Sequence, residues 1–89
     1  MIYPYMVLSD ETEIVHTDIM HKEDGDHVEV HFERPKYGGF DTARCSLPEY
    51  KWIKRDGFTD EEMEFFNDFL AHHAHLLFKY AKSGGISCA

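Results

Sequence analysis

The chain has 89 residues, 43% of them hydrophobic and 15% aromatic, and its 17 acidic residues against nine basic ones give a net charge of −8. This length predicts one small domain over residues 1–89, because a second core would not fit, and the aromatic content argues against disorder. The acidic balance disfavours a general nucleic-acid or anionic-membrane binder, since phosphate is bound mainly by lysine and arginine.

The two cysteines, Cys45 and Cys88, are too few for a disulfide framework or a zinc site. Cys45 falls in a strand pattern and is expected to be a small buried hydrophobe. The sequence shows no secretion signal, and its apolar runs are all shorter than the ~20 residues that span a bilayer. We therefore expect a cytoplasmic protein without a membrane partner.

The first third of the chain has strand patterns. Residues 2–8 form a short apolar run, in which Pro4 suits an edge position or the first residues of a strand because it lacks a backbone donor. Residues 13–20 are rich in β-branched side chains, which favour strands. Asp24-Gly25 then predicts a hairpin turn, since glycine readily adopts a positive φ.

Residues 27–34 have the clearest strand pattern in the chain. Val28, Val30 and Phe32 alternate with polar side chains, and this period of two predicts an antiparallel strand with one buried face. Residues 40–47 predict a fourth strand. Residues 48–56 fit either a short strand or a loop that crosses the sheet above Trp52.

A long amphipathic helix is predicted for residues 60–82. Thr59 and Glu62 have the spacing of a capping box, and Ser83-Gly84-Gly85 should end the helix, because glycine adopts the left-handed conformation without steric cost. At about 100° per residue one apolar stripe contains Met63, Phe66, Leu70, Ala74, Leu77 and Ala81. Beside it lie more apolar residues than one small sheet is expected to bury, which favours a homodimer: Phe65, Leu76 and Phe78.

Together these elements predict an α+β fold. It is a four-strand antiparallel meander with one long C-terminal helix packed on one face, a two-layer sandwich. The exposed edges of a short meander can pair with a second copy or with a strand of another protein.

Seven histidines make metal binding the first chemical hypothesis. Asp68, His72 and His75 stand at i, i+4 and i+7 of the helix, so a carboxylate and two imidazoles could hold Zn²⁺ with an open position. A further ligand would come from the sheet, where His27 and His31 are the candidates. The spacing lacks the glutamate base of the His-Glu-x-x-His pattern, and it also fits a solvated helix face.

Catalysis has little support. The sequence contains no Gly-x-Ser-x-Gly elbow, Walker loop or Gly-x-Gly-x-x-Gly motif. His73 lies beside the apolar stripe, and we expect it to be partly buried with a hydrogen bond to a sheet carbonyl. We predict no catalytic residue and no cofactor.

Basic residues concentrate in the middle of the chain, where they alternate with aromatic ones. Such a mixture could bind single-stranded nucleic acid or an acidic protein by stacking and charge. Alternatively, the aromatic residues belong to the core and the bases neutralise nearby acids, including acids on the helix. The candidate interaction residues are Arg34, Lys36, Arg44, Trp52, Lys54 and Arg55.

The segment Asp26-His27-Val28-Glu29-Val30, with the helix after Gly57, resembles small bacterial families of unknown function, some encoded beside toxin–antitoxin modules. In these families a Pro-Pro-His-x-His-Val-like stretch in short strands precedes one or two helices. Here the prolines are absent, and Glu29 stands at the second histidine position. The resemblance implies a bacterial cytosolic accessory protein and assigns no functional residue.

The sequence therefore favours a non-catalytic protein-interaction or regulatory module, whose partner is an unknown protein or a second copy of the chain. There are two alternatives. One is a metal-binding protein, with hydrolase activity as its catalytic form. The other is a single-stranded nucleic-acid binder that acts through residues 34–55.

Overall fold

A computed structural model of the chain describes residues 1–84. The strands are all antiparallel, in the order β1-β2-β4-β5-β6, and β3 pairs with the beginning of β4. One helix follows the sheet, so the predicted α+β class is confirmed. The elements are β1 (Ile2–Val7), β2 (Glu13–Thr17), β3 (Met20–Lys22), β4 (Gly25–Lys36), β5 (Gly39–Leu47), β6 (Lys51–Asp56) and α1 (Asp60–Ser83).

The prediction of four strands is wrong, because the sheet has two more. The strand predicted at residues 13–20 divides: β2 ends at Thr17, and the separate strand β3 pairs with β4 across a tight turn. Gly25 at that turn has a φ of 124°, as the hairpin signal predicts. The ambiguous stretch contains β6, in which Trp52 lies opposite Cys45 of β5.

The central strand β4 separates a buried face of the sheet from an open one. Val28, Val30 and Phe32 are fully buried, and the Phe32 ring stacks on Phe66 of α1 with centroids 4.2 Å apart. The residues between them therefore point away from the helix, as the period of two predicts. Cys45 lies on the buried face beside Val30 and is fully buried, which confirms its expected role.

The helix has the predicted ends. The Thr59 hydroxyl accepts a hydrogen bond from the Glu62 backbone N–H at 3.2 Å, and the Glu62 carboxylate accepts from the Thr59 backbone N–H at 3.0 Å. Gly84 ends the helix with a φ of 83°. Gly85 and Cys88 lie outside the described residues. Within residues 1–84, no helix is long and apolar enough to cross a membrane.

The buried residues of the helix match the predicted stripe except that Phe69 is buried in place of Ala74. They are Met63, Phe66, Phe69, Leu70, Leu77 and Ala81. Leu76 and Phe78 are partly buried and pack against the core. Phe65 alone of the three flank residues is largely exposed, at 52%. The apolar surplus that favoured a dimer across the helix is therefore much smaller than expected.

Candidate interaction surface

The Arg34 side chain forms hydrogen bonds with acidic residues of the same chain. Its guanidinium donates to Asp41 of β5 at 2.7 Å, to Asp10 at 3.1 Å, and to Glu62 in the first turn of α1. It also lies 4.9 Å from the centroid of the Phe58 ring. Arg34 lowers the pKa of Glu62. The structure therefore uses this candidate interaction residue to connect the sheet to the helix.

Three more of the six candidate interaction residues form hydrogen bonds or ion pairs within the chain. Lys36 contacts the Asp41 carboxylate at 2.8 Å, and together with Arg34 it lowers the pKa of Asp41. Arg55 donates to the Phe58 carbonyl at 2.9 Å and to Asp60 at 2.7 Å. Trp52 donates to Asn67 on the helix at 3.0 Å. The two ion pairs, Lys36–Asp41 and Arg55–Asp60, support the interpretation in which the bases neutralise nearby acids.

Arg44 and Lys54 are the two candidates whose side chains have no hydrogen-bond or ion-pair partner within residues 1–84. They face each other across β5 and β6, and Arg44 also lies opposite His31 of β4, on the sheet face away from the helix. Both are exposed, and neither forms an ion pair within residues 1–84. A nucleic-acid backbone is usually neutralised by many lysines and arginines, and two adjacent ones give little support for nucleic-acid binding.

Among residues 1–84, the proposed metal ligands on the helix form no metal-binding group with the sheet histidines. His72 bonds through Nδ1 to the backbone oxygen of Asp68 at 2.7 Å. His75 lies one turn further on, also exposed. In the part of the chain that the structure describes, no three His, Cys, Asp or Glu side chains are grouped to hold a metal ion. The metal site therefore stays a prediction without structural support.

The two sheet histidines have carboxylate partners. His27 is only 4% exposed and bonds to Asp24 at 2.9 Å and to Glu49 at 3.1 Å. Asp24 in particular raises the pKa of His27. His31 lies 3.2 Å from Glu29 on the open face. Both histidines thus have a role within the fold.

His73 is partly buried as expected, but its predicted partner is wrong. Its Nδ1 bonds to the hydroxyl of Tyr5 on β1, at 2.5 Å, and not to a sheet carbonyl. The imidazole also stacks on Phe69 with centroids 4.1 Å apart. Burial lowers the pKa of His73, which favours the neutral ring that can accept from the phenol.

The two outer strands of the sheet differ sharply in charge. β1 has no charged residue, and three of its apolar side chains are exposed: Ile2, Met6 and Val7. The other outer strand, β6, carries Lys51, Lys54, Arg55 and Asp56. Charged side chains on an outer strand disfavour pairing with another chain. We call residues 2–7, with their three exposed apolar side chains, the β1 edge.

Pro4 divides the β1 edge. It lacks a backbone N–H, and a bulge lies between Pro4 and Met6. Tyr5, Met6 and Val7 all retain backbone donors, and this half includes two of the exposed apolar side chains. The sequence predicts an edge position or the first residues of a strand for Pro4, and Pro4 is the third residue of the edge strand β1. The contrast with β6 could not be predicted, because strand order depends on long-range pairing.

No known protein family matches the chain, and neither a curated protein nor a solved structure matches it.

Proposed function

We propose that the protein is a non-catalytic protein-interaction module that assembles through the β1 edge, and that its partner is the β1 edge of a second copy. The observation that carries this proposal is the contrast between the outer strands. β1 is uncharged with exposed Ile2, Met6 and Val7, whereas β6 has four charged residues. An uncharged apolar outer strand is a template for another strand.

A second copy suits this edge better than an arbitrary partner does. In a two-fold dimer the same surface meets itself, so identical side chains lie close together across the axis. Like charges in such positions repel, which would disfavour self-pairing of β6 with its two lysines and one arginine. β1 has no charge to repel. Antiparallel pairing of residues 5–7 would continue both sheets through backbone hydrogen bonds and bury Met6 and Val7.

The chemistry of the described residues supports a non-catalytic role. Cys45, the one cysteine that the structure describes, is fully buried, and burial raises its pKa to about 12. Its thiolate is therefore disfavoured at neutral pH. Arg34 and Arg55 connect the sheet to the helix region. We place the module in the cytoplasm, where a free thiol and an acidic, disulfide-poor chain are common.

Sedimentation of three proteins tests the proposal: the wild type, Val7→Lys and the matched control Ile53→Lys. Val7 on β1 is 65% exposed and Ile53 on β6 is 53% exposed, so each change places a lysine on an accessible apolar position of an outer strand. The wild type and Ile53→Lys should form dimers as concentration rises over two decades. Val7→Lys should dissociate at least about tenfold more readily, because each copy loses a buried apolar side chain and the lysines repel.

Two outcomes would contradict the proposal. A wild-type protein that sediments as a monomer at every concentration would remove the dimer. Equal weakening by Val7→Lys and Ile53→Lys would show that the association does not use β1. Thermal unfolding of the three proteins is the control that each remains folded.

A further inference from the structure

A cleft lies beside the C-terminal half of the helix. It has a volume of about 590 Å³ and is bounded on one side by residues of β3, β4 and the segment before β3. We call it the helix-end cleft. Its apolar wall consists of Ile19, Phe78 and Ala81. Its volume lies in the range of about 300–1,000 Å³ found for small-molecule sites.

The acidic residues of the helix-end cleft already have partners. Asp18 accepts from the amino group of Met1 at 3.2 Å, and the hydroxyl of Tyr3 lowers its pKa. Asp26 bonds to Nδ1 of His21 at 2.7 Å. Asp18 is therefore paired with a cation, and Asp26 is held by a hydrogen bond.

Two lysines and one histidine on the helix side of the cleft have no such partners among the described residues. His75, Lys79 and Lys82 stand at i, i+4 and i+7 and so share one side of the helix. Within residues 1–84 none of the three forms an ion pair. Asp18 is paired with the Met1 amino group, so Lys79 and Lys82 outnumber the remaining carboxylate, Asp26, and the cleft carries net positive charge although the protein as a whole is acidic.

We propose that the helix-end cleft binds a small organic anion, an acidic head group joined to an apolar or aromatic body. Lys79 and Lys82 would hold the anionic group, as flexible ammonium donors do. Phe78 and Ile19 would contact the apolar body. On the opposite side, Asp26 occupies Nδ1 of His21, so the Nε2 atom is left to bond a polar group of the ligand.

Fluorescence titration with anilinonaphthalene sulfonate tests this site, because that dye combines one acidic group with an aromatic body. The folded wild type should bind it saturably at one site. The double variant Lys79→Gln/Lys82→Gln should bind about tenfold more weakly, since two partly exposed charge contacts are lost. The matched control Lys51→Gln/Lys54→Gln changes net charge equally on β6 and should bind as the wild type does.

Two further measurements make the result specific. Dye-induced changes in NMR amide shifts should centre on β3 and the last two turns of the helix, and a centre elsewhere would overturn the assignment. Naphthalenesulfonate should displace the dye at lower concentration than methanesulfonate, which has the same head group without the aromatic body. Equal competition by the two, unsaturable dye binding, or an equal effect of both lysine pairs would each refute the proposal.

Discussion

Replacing Arg34 by methionine removes the guanidinium that connects three parts of the molecule. Arg34 on β4 donates to Asp41 on β5, to Glu62 on α1 and to Asp10 after β1. Methionine retains a long apolar side chain that can stay against Phe58, but it has no donor. The variant therefore isolates the charge contacts from the packing.

The size of the stability loss depends on whether the carboxylates that Arg34 contacts keep other partners in the variant. Removing one member of a buried ion pair costs about 3–5 kcal/mol, and an exposed pair contributes about 0.2–1 kcal/mol. The Arg34 side chain is 23% exposed, which is intermediate. Asp41 keeps Lys36 at 2.8 Å, and Glu62 keeps the Thr59 backbone N–H. We therefore expect Arg34→Met to lower the free energy of unfolding by about 2 kcal/mol.

The loss of unfolding free energy in Arg34→Met should depend on pH, and its direction follows from the pKa values of the carboxylates. The pKa values of Glu62 and Asp41 are lowered in the folded protein. Their contribution to stability is therefore complete above the ordinary carboxyl pKa of about 4 and is lost as pH falls through the lower folded-state values. The stability difference between the wild type and Arg34→Met should consequently shrink in acid.

Urea denaturation at neutral pH measures the effect, with Arg44→Met as the matched control. Arg44 is exposed and forms no ion pair within residues 1–84, so its replacement should change the free energy of unfolding by less than about 0.5 kcal/mol. A loss of unfolding free energy in Arg34→Met no larger than that in Arg44→Met would show that the Arg34 ion pairs do not stabilise the fold. So would a difference that stays constant as the pH is lowered below about 4.

Three further predictions concern single contacts. The Asp24→Asn variant should lower the pKa of His27 in an NMR titration, because Asp24 raises it. Since that pKa is raised in the folded protein, the stabilisation is present below about pH 6.5 and is lost as pH rises. An unchanged His27 pKa in the variant would contradict this. Tyr5→Phe should lower the free energy of unfolding in urea by about 1 kcal/mol, since the bond to His73 is lost; an unchanged value would show that this bond is not stabilising. Thr59→Ala should cost about 1 kcal/mol in the same assay through loss of the helix cap, and no loss would show that the capping box contributes nothing.

The features that could be predicted are those with local causes. The helix follows from a capping box at Thr59, an apolar stripe and a glycine stop, all within a few residues of the structure that they determine. The same holds for the alternation of Val28, Val30 and Phe32 in β4 and for the turn at Gly25. In each case the period or the turn residue specifies the backbone directly.

The features that could not be predicted depend on distant residues. The β-branched run from residue 13 to 20 contains no signal for the break after Thr17. In the structure, the Thr17 hydroxyl accepts from the Glu29 backbone N–H at 3.1 Å, a contact between two strands. The partner of His73 is Tyr5, 68 residues away. The spacing on one helix face predicts that Asp68 lies near His72, but it cannot show whether a further metal ligand from the sheet lies near them.

Pairing of two copies through β1 can be detected by isotope-filtered NMR on a mixture of labelled and unlabelled chains. This experiment detects only proximities between different chains. We expect backbone contacts between residues 5–7 of the two copies, in the antiparallel pattern, and their loss in Val7→Lys. Interchain contacts confined to β6 or to the helix, or none at concentrations where the wild type is fully dimeric by sedimentation, would contradict it.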